Sequence, residues 1–596
     1  MTWELDGASI PLELMPLVAY RNGPIHTFLS SENQKRVLTG SKGMGKTLLL
    51  TLKRAQAFES YGGGGDTDHA AVSFIPRSRP YLDFMENLPD LSRGWMEALE
   101  GDVGEAVWSL AFRLSVITHD PSALALLEPT DFPGELRYWL VEKRAPTPTC
   151  LCHVLLGLTI KQFKAFHASM GARISHAFRD VQRPVFVFVD KVDQACDSFS
   201  RAAWVNFQGG LLMAAYNAGV ANSHVKAFAT IRQEALSNFE NSHLQNARDV
   251  VTELSYGEGD LVKLLDHLAK VYVNGKSFKD FLGREKFVNN QAGCEEDSFQ
   301  YIRRHTLGRP RDMVAIAEDL SQLGPKITHD AFKLSANSSG ARIAREIFAE
   351  LIPFLDCLGT ADERAEFFRL LPHNILRKEH LESICTKLNG FDITTSPDGA
   401  YKHPFCELYT CGLLGILRED DAGQVTQRFR QPHDEFPRGT SLSEQSDYYL
   451  LHPSLMTSIQ HHNPKYQVMR DIPIGDNYSW GSGSSELVSA KFEFHQLMSR
   501  ADPPSKRDSE DFDELCAWCA SFIPGVKRRG ENISDARARE IFARLAGDAR
   551  LNSCCGWLEA SVLASKKETG VLTRRPPDVQ SCGEVTIPRN GPTPRV

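Results

Sequence analysis

Between residues 35 and 56 an apolar run, a glycine-rich turn and a helical pattern follow one another without a gap. The turn reads Gly40-Ser41-Lys42-Gly43-Met44-Gly45-Lys46-Thr47. Lys35-Arg-Val-Leu-Thr39 is predicted as a short buried strand, and the leucine-rich stretch from Thr47 as a helix. A GxxxxGK[ST] turn joining strand to helix restricts the chain to an α/β fold with a parallel sheet. Its glycines let backbone N–H groups turn inward around phosphates, and the helix N-terminus favours negative charge. Backbone from Gly40 through Leu48 is expected to cradle the phosphates of a nucleoside triphosphate. Lys46 reaches the β- and γ-phosphates, and the Thr47 hydroxyl takes a place on Mg2+.

A length of 596 residues suggests three or four domains. The formal net charge of −8 argues against wholesale coating of nucleic acid, while leaving room for a local basic face. No basic n-region and apolar h-region open the chain, and no uncharged apolar run approaches the ~20 residues that span a bilayer. Thirteen scattered cysteines suit reduced thiols better than a disulfide framework. The expectation is a cytoplasmic protein that makes no use of a membrane.

A phosphate-binding loop needs an acidic strand to hold Mg2+. Ala70-Ala-Val-Ser-Phe-Ile75, entered from Gly62–Gly65, reads as a second strand. Helical periodicity follows, notably over residues 104–117. The acidic strand is Pro184-Val-Phe-Val-Phe-Val-Asp190, whose unbroken apolar run suits a strand buried on both faces. Asp190 is the metal-binding carboxylate. Val225–Thr230 and Asp249–Leu254 read as further strands, and Leu261–Leu268 as a helix.

Asp190-Lys-Val-Asp193-Gln194 resembles the DGxDE segment of STAND and NACHT-type NTPases, with Gln194 in place of the glutamate. That departure argues for slow hydrolysis, because an amide orients water but accepts no proton. Asp193 is the candidate base, beside a purely structural role. The same residues resemble the guanine-reading NKxD, but no strand-end DxxG precedes them, so ATP is the expected nucleotide. The resemblance to AAA+ and STAND proteins implies γ-phosphate sensors at Thr230 and Arg232. His305-Thr-Leu-Gly-Arg309-Pro-Arg311-Asp312 resembles the lid segment of origin-recognition-type ATPases, and the RPRD segment of bacterial P-loop ATPases. Arg311, or less well Arg309, is then free to face the phosphates. The likeness covers about residues 20–325. It implies a homo-oligomer formed on activation, a neighbour's arginine completing the site, a protein effector or regulator, and a bacterial setting such as genome defence.

Residues 341–465 read as a winged helix, with helical patterns at 341–352 and 379–388. Its wing is a hairpin of Gly412–Arg418 and Gln424–Arg430 around Asp420-Asp-Ala-Gly423. Arg418, Arg428 and Arg430 could meet DNA phosphates, whereas Glu419, Asp420 and Asp421 oppose them. The acidic tip favours packing inward on the ATPase, and a DNA-binding loader or non-hydrolysing scaffold stands as the alternative. A Gly/Ser linker at 475–483 precedes helical patterns at 487–498, 511–522 and 534–546. Cys516-x-x-Cys519 has zinc-pair spacing, but adjacent Cys554 and Cys555 cannot readily present both thiolates to one tetrahedral metal. Lys527–Arg529, Arg537, Arg539 and Arg544 suggest a solvated basic face. The expected organisation is a parallel-sheet P-loop NTPase core (1–255), a helical lid (256–335), the winged helix (341–465), a helical C-terminal region (485–571) and an aperiodic tail (572–596).

Overall fold

The computed structural model describes residues 7, 9–31, 33–62, 72–77, 81–85, 88, 90–141, 146–273, 277–283, 285–289, 294–323, 327–388, 403–419, 425–434, 442, 448–468, 472, 484–523 and 533–568. Outside this set lie Gly63–Gly65, the hairpin tip Asp420–Gly423, the 475–483 linker, Lys527–Arg529 and the tail. The chain divides into two units. One comprises Met1–Leu371, Leu376–Pro464 and Asp471–Tyr478; the other Pro372–Ile375, Lys465–Arg470 and Ser479–Val596.

The first unit is α/β. Its parallel sheet has six strands: β1 (Val37–Thr39), β2 (Ser73–Ile75), β3 (Asp83–Phe84), β4 (Val185–Asp190), β5 (Val225–Ile231) and β6 (Val251–Glu253). They run in the order β2-β4-β5-β1-β6, with β3 also pairing with β4. Every residue of β4 is buried, which is why its sequence shows no apolar–polar alternation. β3 had no readable signal, being two residues long in a proline-bearing stretch. Register decides where function falls. Thr39 lies opposite Ile231, Val189 opposite Ala229, and Phe84 opposite Asp190, so β1, β4 and β5 end at one edge of the sheet. Open parallel sheets bind ligands outside such carboxyl ends.

Helices flank the sheet. The helices Val103–Thr118 and Arg201–Ala221 cross closely because Gly104 and Gly210 meet there. A Cβ on Gly210 would stand 2.6 Å from the Glu105 nitrogen. Trp108, fully buried at that crossing, donates its indole N–H to the Phe207 carbonyl at 3.0 Å. Beyond β6 come the helices Glu258–Tyr272, Ser298–Arg304 and Pro310–Ser321. An antiparallel pair, Lys286–Asn289 with Cys294–Asp297, interrupts what the sequence suggested to be wholly helical. Helix His329–Glu350 runs unbroken through residues 335–341. Farther on, Leu414–Glu419 pairs antiparallel with Val425–Arg428 on one side and Tyr448–Leu451 on the other, with Ile416 opposite both Arg428 and Tyr449.

In the second unit the helices Ser484–Met498, Lys506–Ala520, Asp535–Ala546 and Asn552–Glu568 enclose an apolar core. Phe494 stacks on Phe512 at 4.0 Å between ring centroids. Cys516, Cys519, Cys554 and Cys555 belong to this core. Burial pushes the Cys519 thiol up to about 12 and Cys555 up to about 11, so both stay protonated. The arginines of the suggested basic face are interleaved with acids, Arg544 meeting Asp508 and Asp511, and Arg537 meeting Asp511 at 3.2 Å. Among the described residues no helix is long and apolar enough to cross a membrane.

Candidate active site

The loop after β1 is shaped by two glycines, Gly43 at φ +86° and Gly45 at φ +87°. An L side chain is strained there, and a Cβ on Gly43 would come within 3.0 Å of the Arg311 Cβ. Lys46 opens the helix Lys46–Gly62 and folds back across the loop. Its Nζ donates to the carbonyls of Gly40 (2.6 Å) and Ser41 (3.1 Å). Burial, with the Arg232 charge added, brings the Lys46 ammonium down to about 8. Tyr256 donates its hydroxyl to the Met44 carbonyl at 3.3 Å, closing the loop from the β6 side.

The neighbouring hydroxyl, Thr47 Oγ1, donates to Asp190 Oδ2 at 2.6 Å, and the Thr230 hydroxyl donates to the other carboxylate oxygen. Sheet order explains this, since β5 lies between β1 and β4 and sets Thr230 beside the end of β4. Burial pushes the Asp190 carboxyl up, while the two hydroxyls and Lys46 act the other way. Directly after Asp190 the backbone of Lys191 adopts φ +58°, a left-handed conformation that is strained for a lysine. The bend turns Asp193 toward β5. There Arg232, 3 % exposed, holds Asp193 Oδ2 at 3.1 Å and Glu234 Oε2 at 3.0 Å. Burial disfavours the guanidinium charge, but Glu234 and Asp193 more than offset it. Glu234 is brought down to about 2, the Arg232 charge outweighing burial. Its second oxygen accepts from Ser41 Oγ at 2.8 Å, linking the segment after β5 to the loop after β1.

Helix Pro310–Ser321 starts with its proline in the first turn and Arg309 as cap. The Arg311 N–H donates to the Gly43 carbonyl at 3.1 Å, which pins that helix end to the loop. The Arg311 guanidinium meets Glu346 at 3.1 Å and Glu350 at 3.7 Å. Arg309 differs from expectation. It is buried and committed to Asp312 (2.8 Å), Glu350 (2.7 Å) and the Lys42 carbonyl (3.2 Å), so it ties the start of helix Pro310–Ser321 to its neighbours and is not free to face a phosphate.

A cavity of about 410 Å3 joins these groups, a size that suits a small ligand. Lys42, Lys46, Thr47, Asp190, Asp193 and Arg311 line its polar end, with Gly43, Gly45, Leu48 and Gln194. Val18, Tyr20, Leu264, Leu268, Tyr272 and Val314 form its apolar end. Of the sequence-derived candidates, Gly40, Ser41 and Met44 sit in the loop backbone behind this lining, and Thr230, Arg232 and Arg309 in the layer below it. Glu234 and Glu350 were not foreseen. Glu234 lies past the end of its strand, and Glu350 reads as one more acid on an amphipathic helix 304 positions beyond Lys46.

The hairpin's continuation also reaches this region. Pro432 O lies 3.4 Å from Ser41 Oγ. Arg430, one of the candidate DNA contacts, donates to the carbonyls of Thr410 and Asp434, both at 3.3 Å. Arg430 is half-buried; burial lowers its pKa and the nearby Glu234 charge raises it. Arg428 is exposed.

No family model matches the chain, and no curated protein does. Among solved structures, a Walker-type ATPase of Pyrococcus abyssi is similar over 74 % of this chain and 99 % of its own, at 10 % identity and a TM-score of 0.29.

Proposed function

We propose that this chain is an ATP-binding molecular switch of the STAND/AAA+ kind that hydrolyses ATP slowly. The observation that carries the reading is the convergence of Lys46, Thr47, Asp190 and Arg311 on one cavity, with Thr230 and Arg232 directly behind. The donor set fits a hard divalent cation: a hydroxyl and a buried carboxylate, both oxygen donors, lie together at a helix N-terminus. Thr47 and Asp190 would hold Mg2+, which when bound supplies positive charge against the phosphate oxygens. Lys46 and the loop N–H groups bind the phosphates, and the apolar end of the cavity takes the base. Asp193 is the candidate to activate water and Gln194 to orient it. Arg232 holds Asp193 Oδ2 at 3.1 Å, which fixes the carboxylate against the cavity that Asp193 lines.

In this reading residues 341–465 are a winged helix turned toward the ATPase. Pro432 beside Ser41, and Arg430 beside Glu234, support the inward arrangement over a DNA-gripping one. Nucleotide state would then govern self-association and a protein effector. The test is phosphate release by the purified chain beside Lys46→Ala and Asp190→Asn, together with sedimentation with and without ATP. Turnover lost in both variants, and an ATP-dependent change in mass, are expected. Bound but uncleaved ATP would remove the hydrolysis, and an unchanged sedimentation profile would remove the oligomer.

A further inference from the structure

Glu350 ends the helix His329–Glu350 with its side chain 4 % exposed, and its two oxygens are treated differently. Oε2 accepts from Arg309 at 2.7 Å, and Arg309 is itself tied to Asp312 and the Lys42 carbonyl, so this half is fixed. Oε1 is buried with no hydrogen bond. Two cations stand just beyond bonding distance of it, Arg311 Nη1 at 3.7 Å and Lys42 Nζ at 3.9 Å. Both cations line the cavity, and Glu350 does not.

We propose that Glu350 is an internal counter-anion that competes with the terminal phosphate of the nucleotide for Arg311 and Lys42. It thereby acts as a positioning residue that sets the preference between triphosphate and diphosphate. The inference rests on the nucleotide-binding reading above. The Arg311 backbone is held by its bond to the Gly43 carbonyl, so only its side chain needs to swing. That side chain is 32 % exposed, and ion pairs so open hold weakly. A terminal phosphate can therefore draw Arg311 off Glu346 and Glu350, whereas a diphosphate gives it nothing to move to. Glu350 keeps Arg309 in either state, so the lid stays anchored while one arginine changes partner. A ligand shifts such an equilibrium only by its different affinity for the two states.

The experiment is equilibrium dialysis of radiolabelled ATP and ADP against the full chain, in wild type, Glu350→Gln, Glu350→Asp, Glu346→Gln and Arg311→Ala. Glu350→Gln should tighten ATP about fivefold and ADP less than twofold, while Glu350→Asp restores the wild-type ratio. Glu346→Gln, which removes Arg311's half-exposed partner, should move the ratio the same way by about twofold, and it tests the idea even where Glu350→Gln melts early. Arg311→Ala should abolish the ATP preference. Equal shifts for ATP and ADP, or an unchanged ratio in both glutamine variants, overturn the proposal alone. A wild-type chain that binds neither nucleotide overturns the nucleotide-binding reading, and this proposal with it.

Discussion

Nucleotide affinity should fall as pH rises through about 8, because Lys46 meets the phosphates from a site that penalises its charge. Burial and the Arg232 charge lower this ammonium from 10.5 to about 8. At 1.36 kcal/mol per unit, the empty site disfavours the charged lysine by about 3 kcal/mol. Phosphates against Nζ restore the charge, so binding takes up a proton wherever the free site has lost one. With a bound-state value of ~10 or above, Kd should be flat from pH 7 to 7.5 and roughly tenfold weaker at pH 9. Calorimetric titration with ATP between pH 7 and 9.5 measures this, and Lys46→Met should abolish the slope along with most of the affinity. The empty protein should respond in the opposite sense. Between pH 8 and 10.5 the unfolded chain binds the proton that the folded one has released, so stability should rise with pH by up to about 3 kcal/mol. A Kd unchanged between pH 7 and 9.5, or the same slope in Lys46→Met, refutes the reasoning.

Glu234→Gln should leave Arg232 with Asp193 as its remaining carboxylate partner, costing about 1.5–3 kcal/mol in urea unfolding. Since the folded-state value of Glu234 is depressed to about 2, its contribution is present above pH ~4.5 and lost as pH falls toward 2. Wild type should therefore lose stability across that window more steeply than Glu234→Gln. Gly43→Ala forces a Cβ onto φ +86° against Arg311 and should cost about 1–2 kcal/mol, with weaker ATP binding in the same titration. Reversing the half-buried Arg430 to Glu sets it beside Glu234 and should lower the unfolding midpoint. Reversing the exposed Arg428 should leave the midpoint within a degree or two by calorimetry.

The strands that sequence could find were those carrying a dense local signal. Val185–Asp190 is buried on both faces and spells this out in six residues, and β5 does nearly the same. β3 has two residues, and the last helix of the second unit opens on Asn-Ser-Cys-Cys without a clear apolar period, so neither announced itself. Cys516 and Cys519 share a helix face with apolar neighbours, the usual place for core cysteines, and the packing of four helices buries that face.

What the sequence determined by itself was local: a glycine turn that other side chains would strain, the helix that follows it, and the lysine and threonine at its start. Those depend on backbone conformations and neighbours a few residues apart, and they specify the phosphate loop wherever the chain goes next. Partnership was decided by the tertiary structure. Strand order put Thr230 beside Asp190, and the Lys191 bend brought Asp193 to Arg232. Helix packing gave Arg309 and Arg311 a shared carboxylate in Glu350. A charge reads the same in sequence whether it is free or paired, and only burial and a neighbour within about 3–4 Å distinguish a sensor from an anchor.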